Sequence, residues 1–228
     1  MVFNDGDFLK IEYTARRTSD KSVVLTTVEK IAKEEKVYDK DTKYAPQLVV
    51  VGKNSIIAGV DRAVKGMAVN ESKTIEVEPG DGFGERREDL VSVMHLSDFR
   101  EKDIDPRPGM QINLDGTIAT VKSVNSGRVV VDANHPLAGE RLLYDVKVVR
   151  KLENDSDKLV ALSETYSLKA ENTTIDKQTA KVAFGAAVKK DADYFINKSA
   201  LVDAVFRYFD GVSKVVVDEE YERQKEKD

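Results

Sequence analysis

Apolar and polar residues alternate along several short stretches of the chain, whereas one stretch shows helical spacing instead. Residues 8–15 alternate in part and residues 47–51 form a short apolar run, and both patterns are typical of β-strands. Residues 56–67 place apolar side chains three and four positions apart, which predicts a helix that stops near Gly66. Residues 71–78 alternate again and predict another strand.

The pattern changes after residue 86, where the apolar pieces become shorter and are separated by polar turns. Ser126-Gly127 lies between two apolar runs and predicts a β-hairpin, and residues 142–149 predict a long strand. The charged residues 152–158 indicate a domain boundary. Residues 151–228 are therefore expected to form a small α/β domain with a charged tail.

Composition and charge exclude several classes of protein. The chain has 228 residues, of which 41% are hydrophobic and 34% charged, as in globular proteins with two or three small modules. Its net charge of −5 argues against a nucleic-acid partner. Neither a signal peptide nor an apolar run long enough to span a membrane is evident, so we expect a cytoplasmic protein without membrane association.

Residues for metal or covalent chemistry are scarce. There are no cysteines, and the two histidines, His95 and His135, are far apart in the sequence. Gly80-Asp81-Gly82-Phe83-Gly84 lacks the Lys-Ser/Thr pair of a phosphate-binding loop, so it predicts a turn. We expect no metal and no cofactor.

Two longer motifs are more specific. The first comprises the helical segment 56–67 and the later glycine-rich turn Pro79-Gly80-Asp81-Gly82-Phe83-Gly84. The second is Asn134-His135-Pro136-Leu137-Ala138-Gly139, which precedes the strand containing Tyr144. Together with Tyr13, these motifs resemble the SlyD-like branch of the FKBP family of peptidyl-prolyl cis/trans isomerases, in a long form of the type found in archaea.

The resemblance implies an α+β fold in which a twisted antiparallel sheet wraps on one short helix. It implies that residues 1–86 and 134–150 form a discontinuous isomerase domain. Residues 87–133 would be an inserted, mostly-β flap domain that binds unfolded chains, and residues 151–228 the small C-terminal α/β domain. The implied partners are unfolded or proline-containing polypeptides.

The resemblance also implies the residues of an isomerase pocket. The family's catalytic positions correspond to Tyr13, Ile56, Ile57, Phe83 and Tyr144, with the Ile57 N–H holding the substrate carbonyl. The substrate pocket would further include Val24, Leu25, Val49, Val60 and Leu137. The alternative for the apolar residues of both sets is that they are ordinary core residues.

One position departs from the family pattern. The family usually has an Asp after the residue that corresponds to Val24, where it orients the tyrosine hydroxyl. This chain has Leu25, which cannot accept a hydrogen bond, and Thr26 is a candidate replacement. Two functions therefore stay open, an isomerase with chaperone activity and a holdase chaperone with weak or no isomerase turnover.

The inserted segment contains apolar residues suited to client binding, the methionines because their flexible side chains repack easily. These candidates are Leu90, Val91, Val93, Met94, Leu96, Phe99 and Met110. The alternative is that they fill the core of the insert. For the C-terminal domain, a homodimer and a monomeric extension are both open, because a module this small buries little surface alone.

Overall fold

The computed structural model describes residues 2–114 and 116–222. In chain order, the strands are β1 (Phe8–Arg17), β2 (Val23–Thr26), β3 (Gln47–Val50), β4 (Ser72–Val77), β5 (Val91–His95), β6 (Gln111–Leu114), β7 (Thr117–Asn125), β8 (Arg128–Asp132), β9 (Leu142–Leu152), β10 (Asn172–Asp176), β11 (Thr179–Phe184) and β12 (Lys214–Glu219). The helices are α1 (Glu29–Glu34), α2 (Ala58–Lys65), α3 (Leu96–Arg100), α4 (Asp155–Thr165) and α5 (Ala192–Tyr208). These elements form two compact units, one of residues up to 77 and from 142 onwards, the other of residues 78–141.

The first unit contains an antiparallel sheet in the order β2-β1-β9-β4. Strand β3 also pairs with β1, beyond the end of β2 on the same edge. Helix α2 packs on β4 and β9, and the contact with β4 is very close. A Cβ atom at Gly59 would lie 2.9 Å from a methyl carbon of Val77, so this helix position requires glycine. The predicted α+β fold with a twisted antiparallel sheet and one short helix is confirmed.

The two faces of the first sheet are both covered. Successive strand side chains point to opposite faces. Leu9, Ile11 and Val49 are therefore buried on one face, while Phe8 and Val50 are buried on the other. The second face packs against the C-terminal segment, with the rings of Phe8 and Phe209 5.0 Å apart.

The C-terminal segment has its own three-stranded sheet, in which β10 and β11 are antiparallel and β11 and β12 are parallel. Helices α4 and α5 complete the segment, and α4 occupies most of the stretch that the sequence analysis treated as a charged break. Asn154 caps this helix, since its side chain accepts a hydrogen bond from the N–H of Asp157 at 2.7 Å. The segment shares one apolar core with β1 and β3 and so belongs to the same unit as they do, which differs from the separate domain expected for residues 151–228. Residues 223–228 of the predicted charged tail lie outside the described residues.

The second unit, Glu78–Arg141, is built on an antiparallel sheet in the order β5-β8-β7-β6, with α3 beside it. Its apolar core comprises Phe99, Ile112, Ala119, Val121, Val129 and Val131. Asp132 is buried at the end of β8. Burial would raise the pKa of this carboxyl, but hydrogen bonds from Asn134 and Arg86 lower it to about 2. In the part of the chain that the structure describes, none of the helices is both long and apolar enough to cross a bilayer.

Candidate active site

Two tyrosines lie side by side on the face of the first sheet that carries Leu9 and Ile11. The rings of Tyr13 on β1 and Tyr144 on β9 are 5.6 Å apart and tilted by 43°. Tyr144 exposes 2% of its surface, and Tyr13 is partly buried. Burial raises the pKa of both hydroxyls, so both remain protonated at neutral pH.

The Tyr13 hydroxyl donates a hydrogen bond to Oε1 of Gln47 at 2.8 Å. Gln47 is the first residue of β3 and pairs with Ile11 on β1, which precedes Tyr13 by two residues. No sequence pattern predicts Gln47 as a site residue, and Thr26 is the acceptor expected from the sequence. That expectation is wrong, because the Thr26 hydroxyl is bonded to Thr14 at 2.9 Å and reaches only the backbone of Tyr13.

The start of α2 presents a free backbone donor. Ile57 is the residue before the first turn, and its carbonyl accepts hydrogen bonds from the N–H groups of Val60 and Asp61. Among the described residues, no hydrogen bond engages the N–H of Ile57 itself. Ile56 and Ile57 are partly exposed, so this donor lies at an accessible apolar surface.

The remaining pocket candidates of the first unit divide into core and surface. Val49 and Val60 are fully buried, as the core alternative expected. Val24 and Leu25 line a separate cavity of about 130 Å³ beside Tyr44. Leu25 also lines a larger cavity together with Tyr13 and Gln47.

Phe83 and Leu137 belong to the second unit. The ring of Phe83 stacks on His135, with 4.5 Å between the ring centres and 5° between the planes. Nδ1 of His135 accepts a hydrogen bond from the N–H of Leu137 at 3.1 Å, and Leu137 is buried. The Gly139 N–H donates to the carbonyl of Gly84 at 2.8 Å, so the two motif loops are joined within this unit.

The apolar residues of the inserted segment also divide into core and surface. Phe99 is 3% exposed and forms part of the core, so its assignment as a client-binding residue is corrected. Met94 and Leu96 pack against that core, and Leu90 and Val91 are partly buried. Val93 and Met110 are exposed, at 61% and 38%. Ile118, which the sequence analysis did not select, is 57% exposed.

Comparisons with known proteins identify the inserted segment and the family of the chain. The family profile described as "FKBP26, IF domain" matches residues 92–137. The short-type peptidyl-prolyl cis-trans isomerase of Methanocaldococcus jannaschii is 36% identical over 147 residues, which are 64% of this chain and 92% of that relative. The FKBP-type isomerase SlyD of Vibrio cholerae is 35% identical over 117 residues, 50% of this chain and 58% of that relative.

Among solved structures, the three FKBP domains of wheat FKBP73 align with 68% of this chain and 42% of that one, at 16% identity and a TM-score of 0.35. The family rests on the sequence relatives, since the M. jannaschii isomerase is matched over nearly its whole length at substantial identity. The predicted resemblance and enzyme class are therefore confirmed. The chain belongs to the FKBP-type, SlyD-like family of peptidyl-prolyl cis-trans isomerases.

Proposed function

We propose that the chain accelerates the cis/trans interconversion of X–Pro bonds at the surface formed by Tyr13, Gln47 and the start of α2, with the buried Tyr144 beneath Tyr13. The observation that carries this proposal is the hydrogen bond from Tyr13 to Gln47 beside a buried tyrosine. Gln47 supplies the acceptor that Leu25 lacks, so the departure from the family pattern does not leave the Tyr13 hydroxyl without orientation. This arrangement favours the isomerase over the pure holdase.

The chemistry requires no covalent catalyst. Rotation about an X–Pro bond is slow because it breaks amide resonance, at a barrier of about 18–20 kcal/mol. The twisted amide is less dipolar than the planar one, so an apolar surface destabilises the planar form relative to the twisted form. The Ile57 N–H would hold the substrate carbonyl while the ring of Tyr13, supported by the buried ring of Tyr144, packs on the proline. A thousandfold acceleration requires only about 4 kcal/mol of differential stabilisation.

Replacing Gln47 by leucine tests the proposed role of its amide. We expect Gln47→Leu to lower kcat/KM for a proline peptide by about five- to tenfold, because the Tyr13 hydroxyl loses its acceptor and its fixed orientation. Gln47→Glu restores an acceptor and should retain most of the activity. Peptide isomerisation, with thermal unfolding as the check on folding, measures both variants.

A double-mutant comparison separates orientation from general damage to the pocket. If Gln47 acts through the Tyr13 hydroxyl, adding Gln47→Leu to Tyr13→Phe will change kcat/KM little further. Fully additive losses would show that Gln47 has no role through that hydroxyl.

We propose further that the inserted domain binds unfolded chains through the exposed surface of Val93, Met110 and Ile118. The support is the exposure of three apolar side chains on one small unit whose core is already filled. Flexible methionine suits a surface that accepts many sequences. The clients would be unfolded polypeptides with apolar segments, some of them containing proline.

Charged substitutions on this surface test client binding. Val93→Asp combined with Ile118→Asp should at least halve the suppression of reduced-insulin aggregation, because the apolar contact area is lost. Catalysis of a short proline peptide should stay within about twofold. The matched control is Ser92→Asp with Gln111→Asp, which adds the same charge at exposed polar positions of the same unit. Equal losses in the two double variants would contradict an apolar docking surface.

A homodimer through the C-terminal segment is the proposed oligomeric state. Its support is the exposed apolar surface of α5, where Phe195, Ile196 and Phe206 are 48%, 66% and 45% exposed. Sedimentation equilibrium should give twice the chain mass for the wild type and the single chain mass for Phe195→Asp combined with Phe206→Asp. A monomeric wild type at tens of micromolar would overturn the proposal in favour of the monomeric extension.

A further inference from the structure

A cavity of about 430 Å³ opens at the edge of the first sheet, beside the proposed isomerase surface. Strands β2 and β3 pair with different parts of the same edge of β1, along Thr14–Arg16 and Phe8–Ile11. The gap between them leaves Tyr13 and Gln47 at the cavity wall. The opposite wall is the end of α4 in the C-terminal segment, which contributes Glu164 and Thr165.

Lys10 lies in the wall of this cavity, and its side chain is only 14% exposed. Its ammonium nitrogen is 3.8 Å from Oε2 of Glu164. At this distance the two charges attract each other, but they do not form a hydrogen bond. Within residues 2–114 and 116–222, no hydrogen bond reaches this ammonium. An ammonium has three donors, and that of Lys10 belongs to a residue in the wall of an open cavity, so Lys10 retains capacity for a further acceptor.

The charges around Lys10 are mostly positive. Burial lowers the pKa of Lys10. Glu164 raises this pKa by attraction, whereas Arg150 and Lys43 lower it by repulsion. The charges that act on the Lys10 ammonium are thus one negative group, Glu164, and two positive groups, Arg150 and Lys43. Lys43 also lines the cavity. The site therefore favours an additional negative charge over an additional positive or neutral group.

We propose that this cavity is a specificity subsite, in which Lys10 binds the carboxylate side chain of a substrate residue flanking the isomerised proline. The inference rests on the proposed function, because Tyr13 and Gln47 belong to both the isomerase surface and the cavity wall. Because Tyr13 also lines the cavity, a polypeptide with its proline against Tyr13 would extend towards the cavity at the sheet edge. The preferred substrates are then proline segments with a nearby Asp or Glu, whose carboxylate competes with that of Glu164 for Lys10.

Paired peptides test the subsite in the full chain. Each pair carries Glu or Gln at one of the two positions before or after proline and is otherwise identical. For at least one position we expect wild-type kcat/KM to be about fivefold higher for Glu than for Gln. A charged hydrogen bond that solvent partly screens contributes a free energy of about this size. Lys10→Met should reduce this Glu/Gln ratio to about one. Glu164→Gln should increase it, because the competing carboxylate is removed.

The matched control is Lys30→Met, which removes the same charge from a lysine whose side chain is 82% exposed on α1. The Glu/Gln ratio of this variant should equal that of the wild type. Wild-type catalysis with ratios near one at every position would overturn the subsite while leaving the isomerase intact. If neither peptide of any pair were turned over, the proposed function would fail instead. Fluorescence anisotropy of the same labelled peptides would then decide the subsite, which requires Glu-selective binding that Lys10→Met abolishes.

Discussion

A chain that ends at Glu153 is expected to lose its cooperative fold. The removed segment covers Phe8, Leu48, Val50 and Leu152, which share one core with α4 and α5. Burying each of these side chains contributes about 1.5–3 kcal/mol, so their exposure removes much of the 5–15 kcal/mol that typically stabilises a protein. Differential scanning calorimetry should show no sharp transition, and the truncated chain should bind a dye for exposed apolar surface.

A second truncated chain distinguishes two causes of unfolding: exposure of the apolar sheet face, and loss of the C-terminal segment itself. Phe8→Thr, Leu48→Thr and Val50→Thr make the newly exposed face polar while keeping residues that suit β-strands. These substitutions should restore a cooperative transition to the truncated chain and lower the stability of the full chain. A truncated chain with the native residues and an unchanged melting temperature would show that the shared core contributes nothing.

Ile57→Pro is expected to reduce catalysis by roughly tenfold or more while leaving the fold in place. Ile57 has φ −55° and ψ 145°, a conformation that proline adopts without strain, and it precedes the first turn of α2, where proline is tolerated. The substitution removes a backbone N–H that is otherwise unused. The substrate carbonyl would lose its donor in the twisted state.

The side chain of Ile57 is controlled by Ile57→Ala, which keeps the N–H and removes most of the apolar contact. Peptide isomerisation by the two variants should differ by about tenfold, with the proline variant slower. Circular dichroism melting should show that both fold. Equal activities of the two variants would exclude the Ile57 N–H as the carbonyl donor.

The sequence predicted the elements with strong local patterns. The helical spacing of residues 56–67 corresponds to α2, Ala58–Lys65, and the final strand to β9, although β9 runs three residues further than expected. Ser55, a residue type that often caps helices, does not cap α2, because its hydroxyl is bonded to the backbone of Val50 on β3. The strength of the hydrophobic pattern, rather than the length of the segment, determined which elements could be predicted from the sequence.

Other features depend on pairing across the chain and leave no local signal. The role of Gln47 follows from the register of β3 on β1, which places its amide near Tyr13, 34 positions earlier. The low exposure of the Lys10 side chain arises where the end of α4 lies beside its strand, far along the chain. Helix α4 was missed because its polar first turn, capped by Asn154, has the composition of a linker. For Phe99 and Ile118, apolar character alone does not reveal which side of the insert each residue faces.

The most direct test of the account is whether the intact chain turns over a neutral proline peptide. The rate constant of cis-to-trans isomerisation would be measured with the chain at concentrations far below that of the peptide. We predict a linear increase with chain concentration, strongly reduced by Ile57→Pro and largely retained by Ile57→Ala. A rate equal to the uncatalysed value at every concentration, from a chain that still suppresses aggregation, would contradict the isomerase and leave a holdase.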